Sequence, residues 1–137
     1  MPKIFTLSLV TPQKQLLDKL PVESIVLPAL SGEMGVLAGH IPMIVQLGLG
    51  SLRYKANGKE EEFALMGGFA EILHEAVHVF AEGADLADEI DEEEEKQKIK
   101  RAKESLSRKD ADIDFELAEL EIKQAIARMK VKKRHLG

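Results

Sequence analysis

The chain has 137 residues but no cysteine, no tryptophan and a single tyrosine. Without cysteine there is no disulfide and no thiolate metal site, a composition that suits a cytosolic setting. No apolar run approaches the ~20 residues that a bilayer-spanning helix requires. The opening stretch, MPKIFTLSLVTPQKQ, has one early lysine, alternates apolar with polar residues and lacks a small-residue cleavage site. It does not read as a signal peptide. Positive charge is not in excess either: the formal net charge is −5, which gives no general attraction to nucleic acid or anionic lipid.

Proline and glycine are absent from one part of the chain, and that absence divides it. Residues 1–85 hold all 5 prolines and nine of the 10 glycines, with 6 Lys/Arg and 10 Asp/Glu. Residues 86–137 hold no proline and only Gly137, with 13 Lys/Arg and 14 Asp/Glu. Glycine and proline punctuate short strands, and their absence permits long helices. The 45% hydrophobic content is ordinary for a folded chain.

The first part reads as strands. Phe5, Leu7 and Leu9 alternate with Thr6 and Ser8 across Ile4–Val10, a period of two with one buried face. Val22–Leu27 is β-branched-rich and is expected to stop at Pro28. Leu52, Tyr54 and Ala56 alternate with Arg53 and Lys55 up to Asn57-Gly58. That dipeptide suits both positive-φ positions of a type I′ turn, so it predicts a hairpin into Glu61–Met66. Phe69–Leu73 and Val77–Ala81 pair across His74-Glu75-Ala76. Short strands at this spacing predict an antiparallel β-sandwich or a barrel.

The second part reads as two antiparallel helices, Asp88–Leu106 and Asp110–Arg134, joined through Ser107-Arg108-Lys109-Asp110. The first opens on Asp88, Glu89 and Asp91–Glu95 and becomes basic from Lys96. The second opens on Asp110, Asp112 and Asp114 and ends on Lys130, Lys132, Lys133 and Arg134. Acid first and base last complements both helix dipoles, and Glu94–Lys98 and Glu119–Lys123 add i,i+4 pairs. Ile113, Leu117, Ala118, Leu120, Ile122, Ala125, Ile126 and Met129 form the apolar stripe of the second helix. The first has little beyond Ile90, Ile99, Ala102 and Leu106. So thin a seam cannot hold a free-standing hairpin, which is expected to dock on the sandwich or on another protein and to exchange one for the other. The fold class is therefore α+β, an antiparallel sandwich at 1–85 followed by a two-helix hairpin at 86–137.

Motifs for chemistry are weak. Ser31–Pro42 (SGEMGVLAGHIP) lacks the Gly-Lys-Ser/Thr ending of a phosphate loop, so its glycines read as turn residues. His40 has no nucleophile or carboxylate pattern beside it and reads as a hydrogen-bonded structural histidine. His74 and His78 flank a hairpin turn without a third ligand, so metal is not expected. Asp110, Asp112, Asp114 and Glu121 imitate a calcium loop, but its obligatory glycine is Phe115. Glu92–Glu95 reads as a solvated helix start. Lys130–Arg134 exceeds what one helix end needs, and docking on an acidic protein surface is its functional reading. Aromatic residues do not interleave with these bases, which argues against nucleic acid. No nucleophile–base–orienter set is present. An enzyme or a free-standing nucleotide sensor is disfavoured against a structural and regulatory subunit.

Four segments carry a family resemblance. Leu7–Pro12 (LSLVTP) resembles the opening strand of the epsilon subunit of bacterial F-type ATP synthases. Ser31–Pro42 is similar to that family's Gly-x-x-Gly-x-Leu-x-Gly-His-x-Pro region, and Gly67–Ile72 (GGFAEI) to its Gly-Gly-Phe-x-Glu-Val segment. Ala84–Asp91 with Asp112–Leu120 resembles its paired helices. The resemblance implies a non-catalytic rotor subunit on the cytoplasmic face of the bacterial cell membrane, peripheral and without a transmembrane segment. Its sandwich would bind the gamma subunit and the c-ring, with Gly39 and His40 among the contacts. Its hairpin would extend into the alpha/beta catalytic head and inhibit ATP hydrolysis through Lys123, Arg128, Lys130, Lys132, Lys133 and Arg134. Some family members bind ATP between the helices. The corresponding candidates here are Ile90, Asp91, Arg101 and Arg128. Glu94 and Glu95 stand where that pattern has Arg and Ala, and Gln124 stands where it has arginine. A carboxylate beside a triphosphate repels it, so ATP is expected to bind weakly or not at all, and no other cofactor is expected.

Overall fold

The computed structural model describes residues 3–108 and 114–136. Eight strands are followed by two helices: β1 (Phe5–Val10), β2 (Gln15–Val22), β3 (Ser24–Ala29), β4 (Gly32–Val36), β5 (Met43–Ala56), β6 (Lys59–Ile72), β7 (Ala76–Ala81), β8 (Ala84–Leu86), α1 (Glu92–Arg108) and α2 (Phe115–Leu136). The strands form one hydrogen-bonded sheet in the order β2-β1-β7-β6-β5-β3-β4, with β8 added to β6. The sheet folds over on itself and buries Leu7, Leu9, Leu27, Leu52, Leu65, Ile72 and Val79 between its layers. Pairing is antiparallel except between β1 and β7, which run parallel with Leu7 opposite Val77.

The two-residue alternation read in β1 is realised, with Phe5, Leu7 and Leu9 all buried. Asn57 and Gly58 take φ of 53° and 75°, as a type I′ turn requires. The hairpin they close is longer than the sequence pattern suggests. Ala56 pairs with Lys59 and Met43 with Ile72, so Phe69–Ile72 continues β6 instead of starting a new strand. One further expectation is corrected. Pro28 does not stop its strand, because it lies inside β3 opposite Glu33. Its missing N–H coincides with a break in the β3–β5 register between Val26 and Ala29, where a ladder donor is dispensable. The strand β2, with its bulged pairing to β1, carries too irregular an alternation to be read from the sequence.

Both helices start later than their acidic residues suggest. Ala87–Glu89 is a single 3-10 turn, and Asp91 caps α1 by accepting from the Glu93 and Glu94 amides at 3.0 and 3.3 Å. Asp114 caps α2 in the same way, through the Leu117 amide at 3.1 Å. Ser107 and Arg108, read as part of the break, belong to α1. Lys109, Asp110, Asp112 and Ile113 lie outside the described residues.

Tyr54 is the only tyrosine. It is buried in the sandwich and stacks on Phe63 with centroids 6.3 Å apart. Burial raises its phenol pKa above the usual 10, and the nearby Glu61 charge adds to the rise. In the unfolded chain the phenol ionises first, so the stability held below pH 10 is lost as pH rises through the folded value. With no tryptophan present, ultraviolet titration of the folded chain reports this one group. It is expected to ionise at higher pH than free tyrosine, and Tyr54→Phe to flatten the alkaline fall in stability. Ionisation at the free value would contradict the burial.

Candidate functional site

Strand alternation prepares the outer face of β5 and β6 for a helix. Leu52, Tyr54, Phe63 and Leu65 point into the sandwich, so Ser51, Arg53, Glu62, Ala64 and Met66 point outward. The outward residues are not exposed to water as those of a two-layer sandwich would be. Val131 of α2, Ala87 of the 3-10 turn and Ile90 close over Ala64 and Met66 as a second small core, with Ala127 at its edge. The hairpin is therefore docked on the sandwich through the C-terminal half of α2.

Within the hairpin, small residues make the seam. Ala102, Ala118 and Ala125 are buried, whereas Phe115, Leu117, Leu120 and Ile126 remain exposed. The stripe predicted for α2 is thus split, with its alanines inward and its large side chains outward. Little apolar area is gained, so charge carries much of the docking geometry.

Arg128 is the junction. Its Nε donates to Asp85 Oδ2 of β8 at 2.8 Å, and its Nη1 reaches Glu95 Oε2 of α1 at 3.5 Å. Burial alone would lower the arginine's pKa, but the hydrogen bond and charge of Asp85, with Glu95 behind them, outweigh it and hold the guanidinium above its ordinary range. Glu95 is only 4% exposed and also meets Lys98 Nζ at 3.1 Å. Reading Glu92–Glu95 as a solvated start was therefore wrong for Glu95, which sits on the inward face of α1. Nothing in an acidic tetrad distinguishes that member before the helix phase is known.

Farther along α2, Lys132 Nζ donates to the carbonyls of Ala87 and Asp88 at 3.3 and 3.4 Å. Lys133 approaches Glu92 at 3.8 Å. Arg134 Nε lies 3.1 Å from Glu62 Oε1, and its Nη1 lies 3.8 Å from Glu33. Glu62 is 6% exposed and accepts from Ser51 Oγ at 2.6 Å. Arg53 braces Glu33 at 3.0 Å, and His135 Nε2 donates to Asp88. Sequence reasoning missed Glu62 and Glu95 altogether, because buried carboxylates look like surface ones in a chain with 24 acids.

The candidate nucleotide residues are not brought together by this geometry. Ile90 belongs to the small core, Asp91 caps α1, and Arg128 faces Asp85 and Glu95. Arg101 is exposed and lines an open cleft with Lys98, Ser105, Asp114, Leu117 and Glu121 at the other end of the hairpin.

Gly39 and His40 lie in the loop between β4 and β5. The Gly39 amide donates to the His74 carbonyl at 2.8 Å, tying this loop to the β6–β7 turn, and Gly39 takes φ of 84°. His40 Nδ1 donates to the Ile41 carbonyl at 2.8 Å. Around them Leu37, Ile41 and Ile44 stand 65%, 77% and 71% exposed, an apolar end of the kind that marks a protein contact. His78 donates to Glu71 at 3.1 Å and does not share a site with His74.

A sandwich whose outer β5–β6 face carries a charge-docked hairpin, and whose β4–β5 loop presents an apolar rim, offers two surfaces suited to contacts with other proteins. Two family models span it: "ATP synthase, Delta/Epsilon chain, beta-sandwich domain" over residues 4–87, and "ATP synthase, Delta/Epsilon chain, long alpha-helix domain" over 88–133. The chain belongs to the ATP synthase delta/epsilon chain family. It is 39% identical over 132 residues to the ATP synthase epsilon chain of Nitratidesulfovibrio vulgaris, covering 96% of this chain and 98% of that one. It is 46% identical over 109 residues to that of Elusimicrobium minutum, covering 80% and 81%. Among solved structures it resembles a chain of the Euglena gracilis mitochondrial ATP synthase OSCP/F1/c-ring assembly, with a TM-score of 0.77 at 26% identity over 100% of this chain and 84% of that chain. A chain of the Tetrahymena thermophila mitochondrial ATP synthase central stalk/c-ring structure shares the fold, with a TM-score of 0.59 at 14% identity, covering 96% and 98%.

Proposed function

We propose that the chain is a non-catalytic rotor subunit of an F-type ATP synthase that couples proton-driven rotation to ATP synthesis and restrains ATP hydrolysis by extending its hairpin. The observation that carries the reading is the mode of docking. A helix pair held on the sandwich by a small apolar core and charged contacts can exchange those contacts for others, as a two-state element must. The apolar rim with Gly39 and His40 suits attachment to the gamma subunit and the c-ring. The basic end of α2 suits the acidic surfaces of the alpha/beta head in the extended state. No helix among the described residues is long and apolar enough to cross a membrane, which fits a peripheral position on its cytoplasmic face. ATP binding to the folded hairpin is expected to be weak, because Glu95 already occupies the approach to Arg128.

The absence of native cysteine permits a direct test. Cysteines placed at Ala64 and Val131, which share the small core, would lock α2 on β6 when oxidised. Assembled complexes are expected to hydrolyse ATP severalfold faster when locked and to return to the restrained rate on reduction. Equal rates in both redox states would remove the inhibitory role.

A further inference from the structure

From residue 128 onward α2 carries no acid, only Arg128, Lys130, Lys132, Lys133, Arg134 and His135. The surface that receives it is acidic, contributed by Asp85, Asp88, Glu92, Glu95, Glu62 and Glu33 from five separate elements of the fold. The apolar component beneath is small: of α2, only Val131 is fully buried against the sandwich, with Ala127 partly buried beside it. We propose that the docked hairpin is held by an ion-pair latch centred on Arg128 and Arg134, which sequesters the basic end of α2 from any acidic protein partner until those internal carboxylates are outcompeted.

The two arginines do different things. Arg128 joins three elements at once, since Asp85 belongs to β8 and Glu95 to α1, so its release frees both helices from the sandwich together. Arg134 reads a carboxylate that is fixed in advance. Glu62 is oriented by Ser51 and Glu33 is oriented by Arg53, so two preset acceptors await one guanidinium. Lys132 donates to the Ala87 and Asp88 carbonyls of the 3-10 turn, and His135 and Lys133 close the rim on Asp88 and Glu92. Lys123 and Lys130 make no ion pair among the described residues, which leaves them available for first contact while the others remain paired. An acidic surface would then meet two free cations before it gains the rest, and docking and partner binding exclude each other because they use the same groups.

Electrostatic holding has a distinctive signature: the pairs to the exposed acids Asp85, Asp88 and Glu33 weaken as salt shortens the screening length from about 14–30 Å at tens of millimolar to about 3 Å at 1 M. Those to buried Glu62 and Glu95 weaken less, and apolar burial does not weaken. The test uses the full chain with fluorophores on cysteines introduced at exposed Lys59 and Lys130, so that energy transfer reports docking. Transfer is expected to fall as potassium chloride is raised to 1 M, with circular dichroism showing the sheet intact. At low salt Arg128→Glu is expected to reduce the docked-to-undocked ratio at least tenfold. Arg134→Glu should do the same, and the swap Arg134→Glu with Glu62→Arg should recover part of it. Transfer that is unchanged from low to high salt in the unsubstituted chain would overturn the latch, whatever the variants do. So would an Arg128→Met chain that docks as the unsubstituted chain does. The inference rests on the reading that the hairpin undocks, yet the two fail separately. The transfer experiment needs no complex, and the locked-cysteine assay needs no knowledge of what holds the docked state.

Discussion

Replacing Gly68 with valine is expected to lower the melting temperature of the sandwich by roughly 10–20 °C. Gly68 takes φ of 126°, where side chains are strained in any surroundings, and a β-branched one most of all. The surroundings are closed as well. A Cβ there would stand 2.1 Å from the Phe80 carbonyl oxygen and 2.9 Å from Ala81 Cα, both backbone atoms of the adjacent β7. Neither can yield without parting the β6–β7 ladder at Gly68↔Ala81. Backbone strain of ~1–3 kcal/mol and overpacking of ~1–3 kcal/mol therefore act together. Gly58→Ala supplies the contrast, since it too has positive φ but nothing within 4 Å of a new Cβ. Thermal unfolding followed by circular dichroism should separate the two clearly. A Gly68→Val chain melting within a few degrees of the parent would show that β6 does not bend here as described.

Leu52→Ala is expected to cost ~2–5 kcal/mol, seen as a lower urea midpoint at unchanged slope. Leu52 is fully buried in β5 opposite Phe63, in the layer that both halves of the sheet share. The surrounding strands cannot collapse into the space, because their ladders hold them apart. Val131→Ala removes a side chain that is nearly as buried, from the small core under α2. Its ~1–3 kcal/mol should appear elsewhere. Amide exchange in α2 should accelerate while the main transition stays in place, because the sandwich core contains no residue of the hairpin. If both variants shifted the same transition equally, hairpin and sandwich would be one cooperative unit, and undocking without unfolding would be ruled out.

Much of this architecture was legible in the residues. The alternation of Phe5, Leu7 and Leu9, the Asn57-Gly58 turn, and the loss of glycine and proline after Gly83 each have a local physical cause, and each is realised. The family resemblance carried by Ser31–Pro42 and Gly67–Ile72 is likewise matched by the family model over 4–87, which contains both segments. What stayed hidden depends on tertiary position. Pro28 reads as a terminator until the register break beside it supplies a place without a donor. Leu117 and Leu120 read as core, yet alanines hold the seam, because a close helix approach favours small side chains over large ones. Glu62 and Glu95 read as surface. Only the docked helix gives them the cations that make their burial tolerable. The candidate site was thus named from one side, its bases, while its acids came from the fold.

The parallel pairing of β1 with β7 also bears on the order of events at the ribosome. The first strand can form its hairpin with β2 early, but its other edge stays open until Val77–Phe80 has been made. Closure therefore joins segments about seventy residues apart, a loop whose entropy must be met late and which slows the step. Glu33, Glu62 and Asp85 all precede the basic end of α2 along the chain, so the acids of the sheet are made before the cations that dock on them.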